Sequence, residues 1–283
     1  MTDRRETACN GRVAHVSLEG TVAADRFTQG AARSVTAPVT PLCAEPKGAR
    51  DRELLLGDGF QVLETQDGWS YGIAARDGYV GYVRDGDLGP AVRASHVVSA
   101  ARSYAKPSAD LKATEPTIPI SFGSRVVVAA RDGDWAQIMV CGAAGWMPAM
   151  HLRDASDPAG DPVAVAERFI GTPYLWGGNS AFGIDCSGLV QAAMLACGVP
   201  CSGDSDQQER SLGDPVPLDA PRQRGDLYFW KGHVGLLYDA DTLLHANGHA
   251  MAVSLEPLEQ AIARIEKSEG PVTSRRRVSP PRG

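Results

Sequence analysis

A chain of 283 residues with 43% hydrophobic and 22% charged residues can bury a sizeable core and exceeds one small domain, so two or three domains are expected. Its formal charge of −6 argues against nucleic acid or an anionic membrane as the main partner, since phosphate binding needs a basic face; the dense basic cluster is confined to Arg275-Arg276-Arg277. No apolar run reaches the roughly 18 residues that a membrane-spanning helix requires.

The first stretch, "MTDRRETACNGRVAH", carries charges but no apolar segment of signal-peptide length behind them, which leads to the expectation of a cytoplasmic protein. In that compartment Cys9, Cys43, Cys141, Cys186, Cys197 and Cys201 are expected as thiols. Cys197 and Cys201 are spaced C-x₃-C, but no second Cys or His pair at ligand spacing lies nearby, so neither a metal nor another cofactor is expected. The sequence sets no oligomeric state.

Residues 1–33 are polar with weak periodicity and read as an arm. Two similar stretches follow. Residues 54–83, "LLLGDGFQVLETQDGWSYGIAARDGYVGYV", can be laid over residues 120–147, "ISFGSRVVVAARDGDWAQIMVCGAAGWM". Gly57 then falls on Gly123, Asp67-Gly68 on Asp132-Gly133, and Gly81-Tyr82 on Gly145-Trp146. Short alternating apolar runs broken by Gly and Asp turns predict two small β-barrels, at 34–92 and 93–155, with Trp69, Trp135 and Trp146 filling their cores. The pattern G-x-x-V-x-V, a turn with Trp, then G-[YW]-[VM] resembles bacterial SH3-like (SH3b) domains.

After the linker-like "DASDPAGDP" (154–162) the composition changes. Asp161 can cap a helix with Pro162 at its first position, and "VAVAERFI" continues it towards Gly171. From here helices precede strands, which predicts an α+β domain over 160–283. Within "GIDCSGLVQAAMLACG" (183–198), Asp185 is a good N-cap, Cys186 falls in the first turn, and Leu189, Ala193 and Ala196 continue an apolar face until Gly198. A helix N-terminus favours thiolate over thiol, and its N–H groups suit an oxyanion. Ser187 and Gly188 keep the surroundings small enough for a substrate carbonyl. Taken alone, Cys186 is equally a buried helix cysteine.

A thiolate nucleophile needs an imidazole, and the imidazole an orienting partner. "GDLYFWKGHVGLLYDADTLLHANG" (225–248) reads as two strands joined by an Asp-rich turn, with His233 opening the first and His245 closing the second. In an antiparallel hairpin they become neighbours, His233 as base and His245 as the group that holds its far nitrogen and fixes its tautomer.

"TPYLWGGNSAFGIDCSGLVQ", "GDLYFW", "GHVGLL" and "LLHANG", in this order, resemble the NlpC/P60 family of papain-like cysteine peptidases. The resemblance implies a papain-like α+β fold with a Cys-His-His triad on Cys186, His233 and His245. The family's Y-x-W-G-G motif maps Tyr174 near the sulfur and oxyanion site, with Trp176, Gly177 and Gly178 shaping it. Asp185, Ser187 and Trp176 are grouped with the substrate-binding residues. SH3b domains ahead of such a domain narrow the resemblance to γ-D-glutamyl-L-diamino acid endopeptidases of the dipeptidyl-peptidase VI type. These cut the γ-D-Glu to diaminopimelate (or Lys) bond of murein peptides with a free N-terminal L-Ala. Their amine-holding Asp-Ser pair maps onto Asp204 and Ser205 of "GDSDQQ", although Gly203 stands where an Arg is expected. The competing reading makes Ser205 and Gln208 an S-x-x-Q capping box, with Asp204 hard to explain as a cap. In the first SH3b domain Tyr79 fits the family's groove tyrosine, while Asp51, Glu53 and Asp58 compete for its acid.

The function expected is therefore a cytoplasmic cysteine peptidase recycling murein peptides. The alternatives are a general cell-wall hydrolase, a thiol acyltransferase or amidase of the same fold, and a non-catalytic wall-binding protein, against which the intact triad speaks.

Overall fold

The computed structural model describes residues 3–278, so the outermost residues of the expected arm and last domain, 1–2 and 279–283, lie outside it. The chain divides between Asp157 and Pro158 into two compact units.

In the first unit seven antiparallel strands run in the spatial order Arg50–Leu55, Val39–Cys43, Val80–Arg84, Trp69–Ala74, Gly59–Gln66, Ala31–Val35, Leu88–Pro90. Their inward side chains, including Val35, Leu42, Leu54, Phe60, Ala74 and Val83, form one apolar cluster. The expected boundary at residue 33 falls inside a strand, because Ala31–Ser34 pair with Gly59–Val62. Ala31 and Ala32 face solvent, which erased the alternation that would have announced a strand. The arm itself is packed: Ala8 and Val13 are buried with Leu63, Tyr71 and Val80 on the same sheet.

The second run of strands forms three small open sheets rather than a closed barrel: His96–Val98 between Arg125–Val126 and Leu152–Asp154, Arg102–Ala105 with Ile118–Ser121, and Ala130–Asp132, Trp135–Val140, Ala143–Pro148. They share a core of Val98, Ala105, Ile120, Val126, Ala136, Ile138, Val140 and Met147, to which Leu56 is added from the first run. The two copies differ at their turns. Asp67 and Gly68 both have positive φ and link an eight-residue to a six-residue strand, whereas at the overlaid position only Gly133 does, and the strand before it is three exposed residues. Trp69 is buried; Trp135 and Trp146 are half-buried, with the Lys106 ammonium 4.6 Å from the Trp135 ring centroid.

The second unit opens with helix α1 (Pro162–Glu167), whose first amides are capped by Asp161 at 2.8 Å from Val163 N; the helix is shorter than expected, since 168–171 turn away. Helices α2 (Cys186–Ala196), α3 (Ser205–Ser211) and α4 (Leu258–Glu269) surround a six-stranded antiparallel sheet. Its order is Asp214–Val216, Ser274–Arg277, Leu227–Trp230, His233–Leu237, Thr242–Asn247, Ala252–Pro257. Leu258, Ala261 and Ile265, spaced three and four apart, place one stripe of α4 on Tyr228, Trp230, Leu237 and Leu243. Helix α2 packs on the strands that carry His233 and His245.

The Arg275-Arg276-Arg277 cluster is structural. Asp226, fully buried, accepts from Arg277 at 2.6 and 2.9 Å and pairs with the buried Arg275 at 3.4 Å, while Arg276 donates to Leu212 O. Removing the carboxylate strands a guanidinium in the interior. Asp226→Ala is therefore expected to cost about 3–5 kcal/mol, the usual cost of breaking a buried pair from one side, as a lower urea midpoint for the unit containing the sheet. A loss below about 1 kcal/mol would contradict this account.

Candidate active site

Cys186 is the first residue of α2, and the carboxylate that caps the helix also gathers the loop in front of it. Asp185 Oδ1 accepts from Gly188 N at 2.6 Å and Ser187 Oγ at 3.0 Å, and Oδ2 accepts from Gly177 N at 3.0 Å. Gly188 has to be glycine, because a Cβ there would lie 2.4 Å from Gly178 O. The 177–178 loop is thus pressed onto the helix start. The amides of Gly188 and Leu189 are consumed by Asp185, so of the first-turn donors expected for an oxyanion those two are engaged. The buried thiol donates to Gly232 O at 3.9 Å, which sets the sulfur beside the residue preceding His233.

His233 and His245 lie on adjacent antiparallel strands whose register pairs Leu236 with Leu244 and Leu237 with Leu243. Continued towards the site, that register sets Gly235 opposite His245, and a Cβ on Gly235 would come 3.1 Å from the Cβ of His245. The imidazoles meet diagonally: His233 Nε2 and His245 Nδ1 are 2.9 Å apart, with ring centroids at 5.1 Å. That contact uses His233 Nε2, so Nδ1 is the ring nitrogen it does not engage. Burial first, then the neighbouring His245, pushes the His233 imidazole down to about 3, so it is a neutral base at neutral pH. Burial also lowers His245, which is fully enclosed.

Tyr174 is half-buried and hydrogen-bonded through its main chain to Met251 O; burial, then the nearby Cys186 and Asp185, raises its phenol, which stays protonated and able to donate. Trp176 is 71% exposed beside this loop, whereas Asp185 and Ser187 are buried and bonded to one another. The capping box of α3 corrects the expected one: it is Asp204 with Gln207, whose Oε1 accepts from Asp204 N at 3.2 Å, and not Ser205 with Gln208. The helix starts one residue earlier than that reading assumed, so Ser205 is its first residue and Asp204 its cap. Gln208 is buried instead and donates to Ser187 O and Ser202 O, tying α3 to the turn that carries the nucleophile. In the first unit Tyr79 belongs to the apolar cluster and is 4% exposed. Asp51 is paired with Arg4, Glu53 with Arg50, and Asp58 with Arg76.

Two residues escaped sequence reasoning. Glu256 Oε2 lies 3.1 Å from His245 Nε2, and Arg264 of α4 grips the same carboxylate at 2.6 and 2.9 Å. The only signal was register: Ser254 pairs with His245, and Glu256 follows two residues later on the same face. Among the described residues no disulfide is present and no group of three His, Cys, Asp or Glu could hold a metal ion.

Residues 171–266 match the model of the NlpC/P60 family, and residues 42–88 that of the bacterial dipeptidyl-peptidase Sh3 domain; no corresponding match falls on the second run of strands. Over 98 residues the chain is 38% identical to dipeptidyl-peptidase 6 of Lysinibacillus sphaericus, covering 35% of this chain and 36% of that one. Over 126 residues it is 33% identical to the gamma-D-glutamyl-L-lysine dipeptidyl-peptidase of Bacillus subtilis (strain 168), covering 42% of each. The matches thus span less than half the length of these relatives. The fold is similar to the crystal structure of an NlpC/P60 family protein from Bacillus cereus, with a TM-score of 0.72 at 17% identity over 87% of this chain and 99% of that one.

The depressed imidazoles have a consequence for stability. An unfolded histidine takes up its proton near 6.5, whereas folded His233 does not until about 3, so the unfolded state binds more protons within that window and stability falls as pH falls through it. Glu256, held down to about 2 first by the His245 hydrogen bond and then by Arg264, adds to the loss below its ordinary range. Calorimetric melting of the full chain should show a flat transition above pH 7 for the unit carrying the site and a declining one towards pH 4. His233→Asn should flatten the decline; an unchanged slope would contradict the assignment.

Proposed function

We propose that this chain, which carries an NlpC/P60 cysteine peptidase domain behind a bacterial SH3 domain, cuts the γ-D-Glu to diamino acid bond of cell-wall peptides that have a free N-terminal L-Ala. The observation that carries the reading is the sequence of contacts from a helix-borne thiol, past Gly232, to His233 and on to His245 at 2.9 Å. Relatives named for cleavage after γ-D-Glu support the substrate class.

The chemistry follows from the donors and acceptors. His233 Nδ1 takes the Cys186 proton as the sulfur attacks the γ-carbonyl carbon, and the protonated Tyr174 is the candidate donor to the developing oxyanion. The C–N bond breaks, and the imidazolium returns its proton to the leaving amine, which is the α-amino group of the diamino acid. Water, deprotonated by His233, then hydrolyses the thioester and frees L-Ala-γ-D-Glu. Preference for a free amine is assigned to Asp204 and Ser205. Asp204 caps α3 and so sets a carboxylate at the helix start beside Ser205, the negative charge and hydroxyl that an ammonium group calls for. Peptides with a free L-Ala are products of earlier wall breakdown, and the proposed setting is their recycling in the cytoplasm.

The test is incubation of the full chain with L-Ala-γ-D-Glu-diaminopimelate, followed by mass spectrometry. Release of L-Ala-γ-D-Glu by the wild type, and none by Cys186→Ala, is the expected result. Acetylating the L-Ala should lower kcat/KM by about 10²–10³, the penalty for leaving a desolvated charge without its partner, and Asp204→Ala should abolish most of that discrimination. Equal cleavage of free and acetylated peptides, or ready digestion of intact cross-linked wall, would replace this reading with a general wall hydrolase.

A further inference from the structure

The chain of contacts does not stop at His245. An ionised carboxylate can only accept hydrogen bonds, and Glu256 is ionised across the neutral range, since its two partners are a histidine N–H and a guanidinium. The proton between Glu256 and His245 therefore sits on His245 Nε2. Because His245 is neutral, its Nδ1 then carries a lone pair, so the proton in the 2.9 Å contact belongs to His233 Nε2. His233 Nδ1 is left unprotonated. One acid on the neighbouring strand dictates the protonation of four ring nitrogens in two rings.

We infer that Glu256, anchored by Arg264, is a positioning residue that sets the tautomer of both histidines and stabilises the imidazolium formed when His233 takes the Cys186 proton. The inference rests on the cysteine-peptidase reading of Cys186 but on no particular substrate. Arg264 contributes in two ways. Its two donors keep the carboxylate deprotonated and leave Oε2 aimed at His245. Without a carboxylate, His245 has no group that must accept from Nε2, and either tautomer of the pair satisfies the contact between the rings; in one of them His233 points an N–H at the thiol and cannot act as its base. The proton movement balances: the thiol proton goes to His233 Nδ1, and the positive charge is shared along the His233–His245 contact towards Glu256.

Two measurements test this without a peptide substrate. In the full chain carrying Cys186→Ala and ¹⁵N-labelled histidine, the Nε2 atoms of His233 and His245 should resonate as protonated and both Nδ1 atoms as unprotonated at pH 7. A protonated His233 Nδ1 with a bare Nε2 would overturn the inference. The second measurement follows the alkylation rate of Cys186 by iodoacetamide against pH. The groups facing the histidines are Glu256, Arg264 and His249, and those facing the thiol are Tyr174 and Asp185. Only Glu256 changes in Glu256→Gln. Losing its charge makes the imidazolium harder to form, so the inflection for thiolate formation should move to higher pH. Below that inflection alkylation should slow by about 10² to 10⁴, as expected for an imidazole base released from its tautomer. Glu256→Asp, which keeps the charge, should recover much of the rate. A merely structural Glu256 would lower the melting temperature with the inflection unmoved, and that result would overturn the inference. Should Glu256→Gln fail to fold, the nitrogen spectrum of the otherwise unaltered chain still decides. A correct nitrogen pattern in a protein that cleaves no wall peptide would refute the proposed substrate and leave the inference standing.

Discussion

Everything at the site depends on one carboxylate. Asp185 binds the backbone of Gly177 through one oxygen and Gly188 and Ser187 through the other. It thereby fixes the start of α2 against the loop in front of it. A helix cap is ordinarily worth only about 1 kcal/mol. Here the same contacts decide where the sulfur of the next residue lies, and the glycine at 188 lets the first turn approach Gly178 closely. Gln208 adds a second tie by bonding Ser187 O from α3. Cys186 thus sits on a helix end held from two sides, the rigid mounting that the proposed chemistry requires.

The sheet supplies the rest by register alone. Strand pairing puts His233, His245 and Glu256 on three successive strands, each one diagonal from the next. Burial then makes the arrangement selective. In water each imidazole would exchange tautomers freely, but in a dry interior an unmatched N–H or lone pair is costly, so the polar groups must alternate donor and acceptor along the line. The line ends at Arg264, where half-exposed charge meets solvent. Desolvation keeps His233 neutral, while Glu256 opposes that effect; the balance leaves a base that is unprotonated at rest and can still accept a proton.

The strands of the first unit show how little is needed to change a small β-structure. The same spacing of glycines and aromatics occurs twice, yet the first run builds a seven-stranded sheet and the second three short ones around a separate core. In the first the two-residue turn at Asp67-Gly68 joins long strands. In the second the strand before the turn is short and exposed, and only three of its residues pair across the turn. The polar arm covers the first sheet through a few apolar side chains, which its composition concealed.

Local sequence determined what local physics controls. The Asp161 and Asp185 caps, the extent of α2, and the strands bearing His233 and His245 are set by contacts between near neighbours, and they could be read from side-chain type and spacing. So could the approach of His233 to His245, since hairpin register follows from the strands. What required the tertiary structure were partners distant in sequence or hidden by a shift of one residue. Glu256 meets His245 only because a third strand pairs beside it, and Arg264 meets Glu256 only because α4 folds back over the sheet. The capping box at Asp204 differed from the expected one by one position, because Asp and Ser cap equally well and only the observed backbone at the helix start chooses between them. The three arginines near the end gave only a charge cluster in the sequence. Their bonding to Asp226 and Leu212 O, with Arg275 buried, depends on a strand paired between two others, and no local pattern encodes that pairing.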